Sequence, residues 1–321
     1  MDKKFDVIAM GELLIDFTAA GQSRQGNGLF EACPGGAPCN VLAMLNKLGR
    51  RTGFIGKVGE DSFGRSLKNL LDERGIDTSH LLFDPQVHTT LAFVHTGDHG
   101  ERDFAFYRNP GADMMLDETE VDADFLKQTR LFHFGTLSMT HEGVRKATKK
   151  ALATAKENGI LISFDPNLRP PLWESLATAR EQMEYGFRFC DILKISDNEI
   201  RFATGMEDYD DGIRYLQETY HIPLIFLTMG SDGSRAYYRD LKVECEALQC
   251  NAIETTGAGD TFCGSALHHI LKYGLERLTK EQLLETLRFA NTAAAIVTTR
   301  KGAIRAMPEK DEVEKLKNSS Y

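Results

Sequence analysis

Two hydrophobic periods alternate along the chain. Phe5–Met10 is a short, mostly apolar run of strand length, and the segment that follows, Gly11-Glu12-Leu13-Leu14-Ile15-Asp16, places two acids at its end. From Pro38 to Leu48 the period changes to that of a helix. Val41, Leu42, Met44, Leu45 and Leu48 fall on one face, and Gly49 closes it. Arg51–Val58 reads as a strand and Ser66–Arg74 as a helix ended by Gly75. The rhythm resumes with a strand at Leu131–Phe134, a helix over Glu142–Asn158 stopped by Gly159, and buried strands at Ile160–Asp165, Ile192–Ser196 and Leu224–Thr228. From Thr261 a helix carries Phe262, Ala266, Leu267, Ile270 and Leu271 inward. Ala290–Thr299 is a small-residue helix, and a charged terminal helix starts at Glu309. Repetition of this strand-helix unit predicts a layered α/β fold, whose sites lie where the strands end.

One region breaks the rhythm. Thr89–His95 and Asp103–Arg108 flank Gly97-Asp98-His99-Gly100, which reads as a β-hairpin. A hairpin wet on both faces is hard to stabilise alone, so it is expected to join extended chain from Leu13–Phe30 in a small sheet over the main body. Phe93 and Phe104 are expected on one side of that sheet. The division predicted is a main α/β domain of residues 1–12, 31–88 and 112–321, with residues 13–30 and 89–111 forming a small β-sheet lid.

Composition narrows the function classes. The formal net charge of −9 over 321 residues argues against general nucleic-acid binding, while leaving room for a local basic cleft. The six cysteines form no C-x-x-C pair and no zinc spacing, which points to reduced thiols and a cytoplasmic protein. No segment reaches the roughly 18 uninterrupted apolar residues of a membrane span. The histidines at 95, 99, 133, 141, 221, 268 and 269 make no metal or triad pattern and read as surface or helix residues. Trp173, after two prolines, reads as a packing residue.

The densest chemistry lies in Glu254-Thr-Thr-Gly-Ala-Gly-Asp-Thr-Phe-Cys-Gly264. Gly257, Ala258 and Gly259 let backbone N–H groups converge on an anion, and a helix beginning there adds its positive end to the same point. Asp260, held beside that anion, is placed to take a proton from a hydroxyl attacking a phosphoryl group. A tight turn capped by an acid is the plain alternative for this stretch alone. Lys57 is not followed by Ser or Thr, so there is no Walker-type loop, and neither Gly11 nor Gly36 opens a G-x-G-x-x-G.

Three motifs in order, Gly35-Gly36-Ala37-Pro38-Cys39-Asn40-Val41, Gly56-Lys57-Val58-Gly59-Glu60-Asp61-Ser62-Phe63-Gly64 and Gly257–Asp260, resemble the ribokinase-like (PfkB-type) carbohydrate kinases, and among them the bacterial fructokinases. The resemblance runs over nearly the whole chain. It implies a three-layer α/β/α fold with a β-sheet lid, and ATP-dependent phosphorylation of a free sugar, foremost D-fructose to fructose 6-phosphate. A kinase for 2-keto-3-deoxygluconate or a nucleoside shares the same frame, and a sugar-binding sensor is the non-enzyme alternative. The resemblance assigns Asp260 as base, Gly257, Ala258 and Gly259 as the anion hole, and Arg169 near the phosphates or the substrate. Asp16, Gly35, Gly36, Asn40, Arg108 and Asn167 fall to the sugar; Lys194, Ser196, Thr228, Gly230, Gly233 and Asn291 fall to the nucleotide side. Glu199 is matched to Mg²⁺ organisation, with Ser196 standing where the family has Asn. Glu254 is matched to a monovalent cation, K⁺, where the family usually has Asp. A homodimer through the lid is also implied.

Overall fold

The computed structural model describes residues 3–96 and 102–321. In chain order its elements are β1 (Phe5–Met10), β2 (Leu14–Gln22), β3 (Gly28–Gly35), α1 (Ala37–Lys47), β4 (Thr52–Gly59), α2 (Ser62–Glu73), β5 (Asp77–Asp84), β6 (Leu91–Thr96) and β7 (Arg102–Tyr107). There follow α3 (Ala123–Leu126), β8 (Thr129–Gly135), α4 (Glu142–Glu157), β9 (Leu161–Asp165), α5 (Leu176–Phe187), β10 (Ile192–Ser196), α6 (Asp197–Thr204) and α7 (Tyr209–Tyr220). The last elements are β11 (Leu224–Thr228), β12 (Ser234–Tyr238), β13 (Leu241–Cys245), α8 (Ala258–Tyr273), α9 (Lys280–Thr298) and α10 (Lys310–Ser320).

Among the described residues, nine strands form the main sheet in the order β13-β12-β11-β10-β9-β8-β1-β4-β5. It is parallel from β11 to β5; β12 runs antiparallel to β11, and β13 antiparallel to β12. The pleat of β1 shows why both faces must be covered: Val7 and Ala9 enter the core under α1, α8 and α9, while Ile8 and Met10 enter the core under α4, α5 and α7. The result is the expected three-layer α/β/α arrangement. Strand order reverses around β1, between β8 and β4, and at such a reversal a crevice opens above the carboxyl ends of the strands.

The small sheet has the order β3-β2-β6-β7. β3 runs on to Gly35, beyond the residue 30 at which the sequence pattern ended the lid segment. The hairpin turn at 97–100 lies outside the described residues. Pairing of β6 with β7 sets Phe93 opposite Ala105 and Val94 opposite Phe104, so positions 93 and 104 belong to opposite faces rather than one. Both stems of the β6–β7 hairpin are tied to the main body. Asp113 accepts from Thr90 Oγ1 at 2.5 Å and pairs with the Arg108 guanidinium at 2.6 Å.

Several elements start earlier than their apolar pattern. α2 begins at Ser62 because the Asp61 side chain caps it, accepting from the Gly64 N–H at 2.8 Å. α9 begins at Lys280, where Thr279 and Gln282 form a capping box, nearly three turns before its small-residue stretch. Trp173 packs with Met139 and Ala179, as a core residue. Among the histidines, His133 departs from the surface-or-helix expectation. It sits on β8, 1% exposed, with Nδ1 3.0 Å from Ser163 Oγ on β9.

Burial drives the His133 pKa down to about 3, so its imidazole is neutral. The unfolded chain takes up that proton near pH 6.5, so the stability contributed by the neutral ring is full above 6.5 and falls with pH, by about 1.4 kcal/mol per unit. His133→Asn keeps a polar partner for Ser163 but does not titrate. Thermal unfolding at pH 7 and pH 5 is expected to show a smaller loss of Tm in the variant than in the native protein. Equal losses would count against the buried neutral imidazole.

Candidate active site

Two helix starts meet above the crevice. α1 is capped by Gly36 at φ 120°, where a Cβ would stand 2.3 Å from the Glu12 carbonyl oxygen, so only glycine lets β3 turn into α1 over the end of β1. At Gly35 a Cβ would stand 2.5 Å from Asp16 Oδ2. The two glycines therefore bring backbone against both acids noted after β1. α8 starts with Gly257 as its left-handed cap, which sets Ala258, Gly259 and Asp260 in the first turn.

Asn40, in the first turn of α1, donates from Nδ2 to Asp260 Oδ2 at 2.7 Å. An ionised carboxylate only accepts, which fixes the orientation of the Asn40 amide. Its Oδ1 is then buried without a hydrogen-bond partner, an acceptor presented to whatever enters the site. Burial raises the Asp260 carboxyl above the usual carboxylate range, while the Asn40 hydrogen bond and the charges of Lys194 and Arg169 oppose the rise. The outcome is a more basic carboxylate than one in water, still with a donor and two cations to hold it ionised.

The cationic end is built on β9 and β10. Lys194, 7% exposed on β10, lies 3.1 Å from Asp165 Oδ2 at the end of β9, and a Cβ on Gly259 would meet its Nζ at 3.1 Å. Although burial works against its charge, Asp165, Glu199 and Asp260 together keep the Lys194 ammonium protonated. Asp165 is itself raised by burial, against the pull of Lys194. Asn167, at φ 43°, folds the next turn back so that its N–H meets Asp165 Oδ1 at 3.2 Å.

These groups enclose one cavity of about 390 Å³. Of the residues expected from sequence, Asp16, Gly36, Asn40, Asn167, Arg169, Lys194, Gly257, Gly259 and Asp260 line it. Glu12 and Asp16 enter it on the chain that leads into and along β2 of the small sheet, its lid end; Lys194 enters from β10, Arg169 from the loop after β9, and Gly257, Gly259 and Asp260 from the α8 start.

Other expected residues stand elsewhere. Arg108 does not reach the cavity: 6% exposed, it bonds Asp113, the Thr140 hydroxyl at 2.8 Å and the Leu137 carbonyl at 3.0 Å, because a buried guanidinium must satisfy its donors nearby. Its connection to the cavity passes through Leu137, which lines the wall. Ser196 and Glu199 form the capping box of α6, and the Glu199 carboxylate also accepts from the Leu168 N–H at 2.8 Å. Glu199 therefore shapes the Asn167–Arg169 turn, with its acceptors spent on protein donors. Asn291 is likewise spent, bonded to Ser234 and to the carbonyls of Cys245 and Glu246, where it joins α9 to β12 and β13. Thr228, Gly230 and Gly233 lie at the β11 end and the turn after it, beyond the cavity wall. Glu254 accepts from the Gly302 N–H at 3.1 Å, linking the approach to α8 with the turns before α10.

The cavity also contains residues that the sequence reading did not assign to a site: Glu12, Leu14, Ala37, Phe106, Leu137, Thr255 and Thr256. Glu12 was legible only as one of two acids after a strand. Phe106 and Leu137 carry no polar signal, and tertiary packing alone makes them walls.

The pfkB family carbohydrate kinase model matches residues 4–310. Fructokinase-1 of Zea mays is 40% identical over 312 residues, 97% of this chain and 97% of the relative. A fructokinase double mutant from Vibrio cholerae O395, solved with fructose, ADP and a potassium ion, superposes with a TM-score of 0.88 at 29% identity, covering 98% of this chain and 99% of the other. A candidate Ribokinase II from E. coli, solved with ATP and Mg²⁺, gives a TM-score of 0.87 at 27% identity, with 98% and 99% coverage.

Proposed function

The chain belongs to the pfkB family of carbohydrate kinases, and from that premise we propose that it transfers the γ-phosphoryl group of ATP to D-fructose, forming fructose 6-phosphate, with Asp260 as the base. One observation carries the reading: Asp260 sits in the first turn of α8, hydrogen-bonded to Asn40, in the same cavity as Asp16 and Lys194. A hydroxyl held by Asp16 and the orphan Asn40 Oδ1 has its proton taken by Asp260 as it attacks phosphorus. The N–H groups of Gly257, Ala258 and Gly259, fixed before reaction, receive charge on the transferred group; removing one such donor typically costs about 3 kcal/mol. Lys194 and Arg169 supply the positive charge that phosphate oxygens need.

We assign the nucleotide to the strand ends beyond Lys194, along Ser196, Thr228, Gly230 and Gly233, with Asn291 bracing β12 and β13 behind them. Mg²⁺ bound with the nucleotide would supply charge neutralisation at its phosphates. Asp165, whose Oδ2 also lies 3.1 Å from Lys194 Nζ, and Glu199 beside it would give that end the acidic edge a hydrated divalent ion requires. Glu254 is our assignment for a monovalent cation such as K⁺, which would stiffen the junction it makes with Gly302.

The lid end of the cavity argues for a neutral sugar. Glu12 and Asp16 line it, and the nearby Arg108 is committed to Asp113. A substrate carboxylate about 4 Å from one of these acids meets a repulsion of ~4 kcal/mol at an effective dielectric of 20. That disfavours 2-keto-3-deoxygluconate against fructose. Intact Asp260 and its helix start disfavour a sensor.

ADP release is expected with fructose, and at least about 100-fold lower kcat/KM with 2-keto-3-deoxygluconate; ribose and nucleosides complete the panel. No ADP release with any of them defeats the kinase reading, and preference for the acidic sugar defeats the charge argument. NMR of the product distinguishes the 6-phosphate from the 1-phosphate.

Asp260→Asn preserves an acceptor for Asn40 while removing the base. Turnover is expected to fall about 100-fold or more with Tm and fructose affinity near native. Turnover within a few-fold of native would take the base role from Asp260.

The lid supports a homodimer. Phe17 stacks on Phe93 at 5.0 Å, and Phe30 and Tyr107 meet Phe93 edge-on at 5.4 and 5.3 Å. Phe30 is 46% and Tyr107 66% exposed, an aromatic row suited to the same row on a second copy. Light scattering is expected to give twice the chain mass, and Phe30→Ser with Tyr107→Ser to give a folded monomer. A dimer unaffected by the pair would move the interface elsewhere. Six unpaired cysteines support a reducing, cytoplasmic setting, and among the described residues no helix is long and apolar enough to cross a membrane.

A further inference from the structure

Glu12 stands where the acceptor half of the site is anchored. It follows β1 by two residues, is 3% exposed, and lines the cavity. Its Oε1 accepts from the N–H of Ala37, the first residue of α1, at 2.8 Å. Its carbonyl oxygen lies against Gly36, where a Cβ would stand 2.3 Å away. Side chain and backbone of one residue therefore set the position of the α1 start. Asn40 is three residues along that helix, in its first turn, and holds Asp260 at 2.7 Å. A displacement of the α1 start is transmitted directly to the base.

We propose, resting on the sugar-kinase reading, that Glu12 is a positioning and specificity residue: its carboxylate fixes the α1 start, and thus Asn40 on Asp260, and favours an acceptor that donates hydroxyl hydrogen bonds at the lid end of the cavity. A carboxylate at a helix N-terminus gains from the helix dipole and from a charge-assisted bond to the N–H. A protonated carboxyl loses both and offers a hydrogen where it had offered a lone pair.

The groups facing Glu12 are Asp113 on the turn after the lid, Arg108 at the lid stem, and Cys39 on α1. Arg108 and Asp113 are paired with each other. Cys39 is pushed well above the usual thiol range by burial, so it is neutral. Burial raises Glu12 to about 7, helped by Asp113 and opposed by the Ala37 N–H and Arg108. Sugar binding that uses the ionised form therefore weakens as pH falls through 7 and is full above it.

Glu12→Gln keeps size and a carbonyl acceptor for Ala37 but removes the charge. Steady-state kinetics on the full-length protein are expected to show KM for fructose raised about 10-fold and KM for ATP within two-fold of native. The rise of fructose KM between pH 8 and pH 6, seen in the native enzyme, is expected to vanish in the variant. A variant with native Tm, native fructose KM and an unaltered pH profile overturns the proposal. Calorimetric fructose binding by the unsubstituted protein tests it without any variant: affinity should fall from pH 8 to pH 6, and a flat affinity overturns it even where Glu12→Gln fails to fold. Loss of the kinase reading looks different, as absence of ADP release in the native protein itself.

Discussion

The hydrogen bond from Asn40 to Asp260 joins the two halves of the site. Each residue lies in the first turn of its helix, and both helix starts line one cavity. A bond from an amide to a buried carboxylate contributes roughly 1.5–3 kcal/mol, and its loss would leave the carboxylate short of a donor inside the protein. The energetic stake keeps α1 and α8 in register. It also leaves Asn40 Oδ1 as a buried acceptor without a partner, facing the cavity that Asn40 lines.

Around this bond the polar groups fall into two roles, those that face the cavity and those that hold the ones facing it. Lys194 and Asp16 belong to the first, and Asp165, which pairs with Lys194 and accepts from the Asn167 N–H, to the second. Glu199 belongs to the second, since it caps α6 and pins the Leu168 N–H, so that Asn167 and Arg169 turn toward the cavity. Arg108 and Asp113 also belong to the second, because they tie the hairpin stems to the body and grip the carbonyl of the wall residue Leu137. Desolvated charges of this kind must find partners within the protein, so a sequence motif names them without telling which role each takes.

The same reasoning explains what the apolar pattern did and did not foretell. β1, β10 and β11 stand where their mostly apolar runs put them, because a strand buried on both faces carries little polar alternation to confuse. α2 and α9 begin earlier than their apolar stripes, since a cap needs a polar side chain and not a hydrophobic one. β5, β12 and β13, short and interrupted by polar residues, carry a weaker signal and went unassigned. His133 looked like any histidine; only the pairing of β8 with β9 places it beside Ser163 in the core.

The sequence by itself determined the class of fold and the chemistry of the helix start at Gly257–Asp260. Those are local properties: period fixes which face is buried, and three small residues before an acid fix what one turn of backbone can bind. Tertiary structure decided which charges are available. Arg108 and Asn291 read as ligands in the chain and are consumed by partners in the fold, while Glu12 read as a strand-end acid and is carried into the cavity. The reason is that a polar side chain's role depends on which donors and acceptors lie within about 3 Å of it, and most of those arrive from distant parts of the chain.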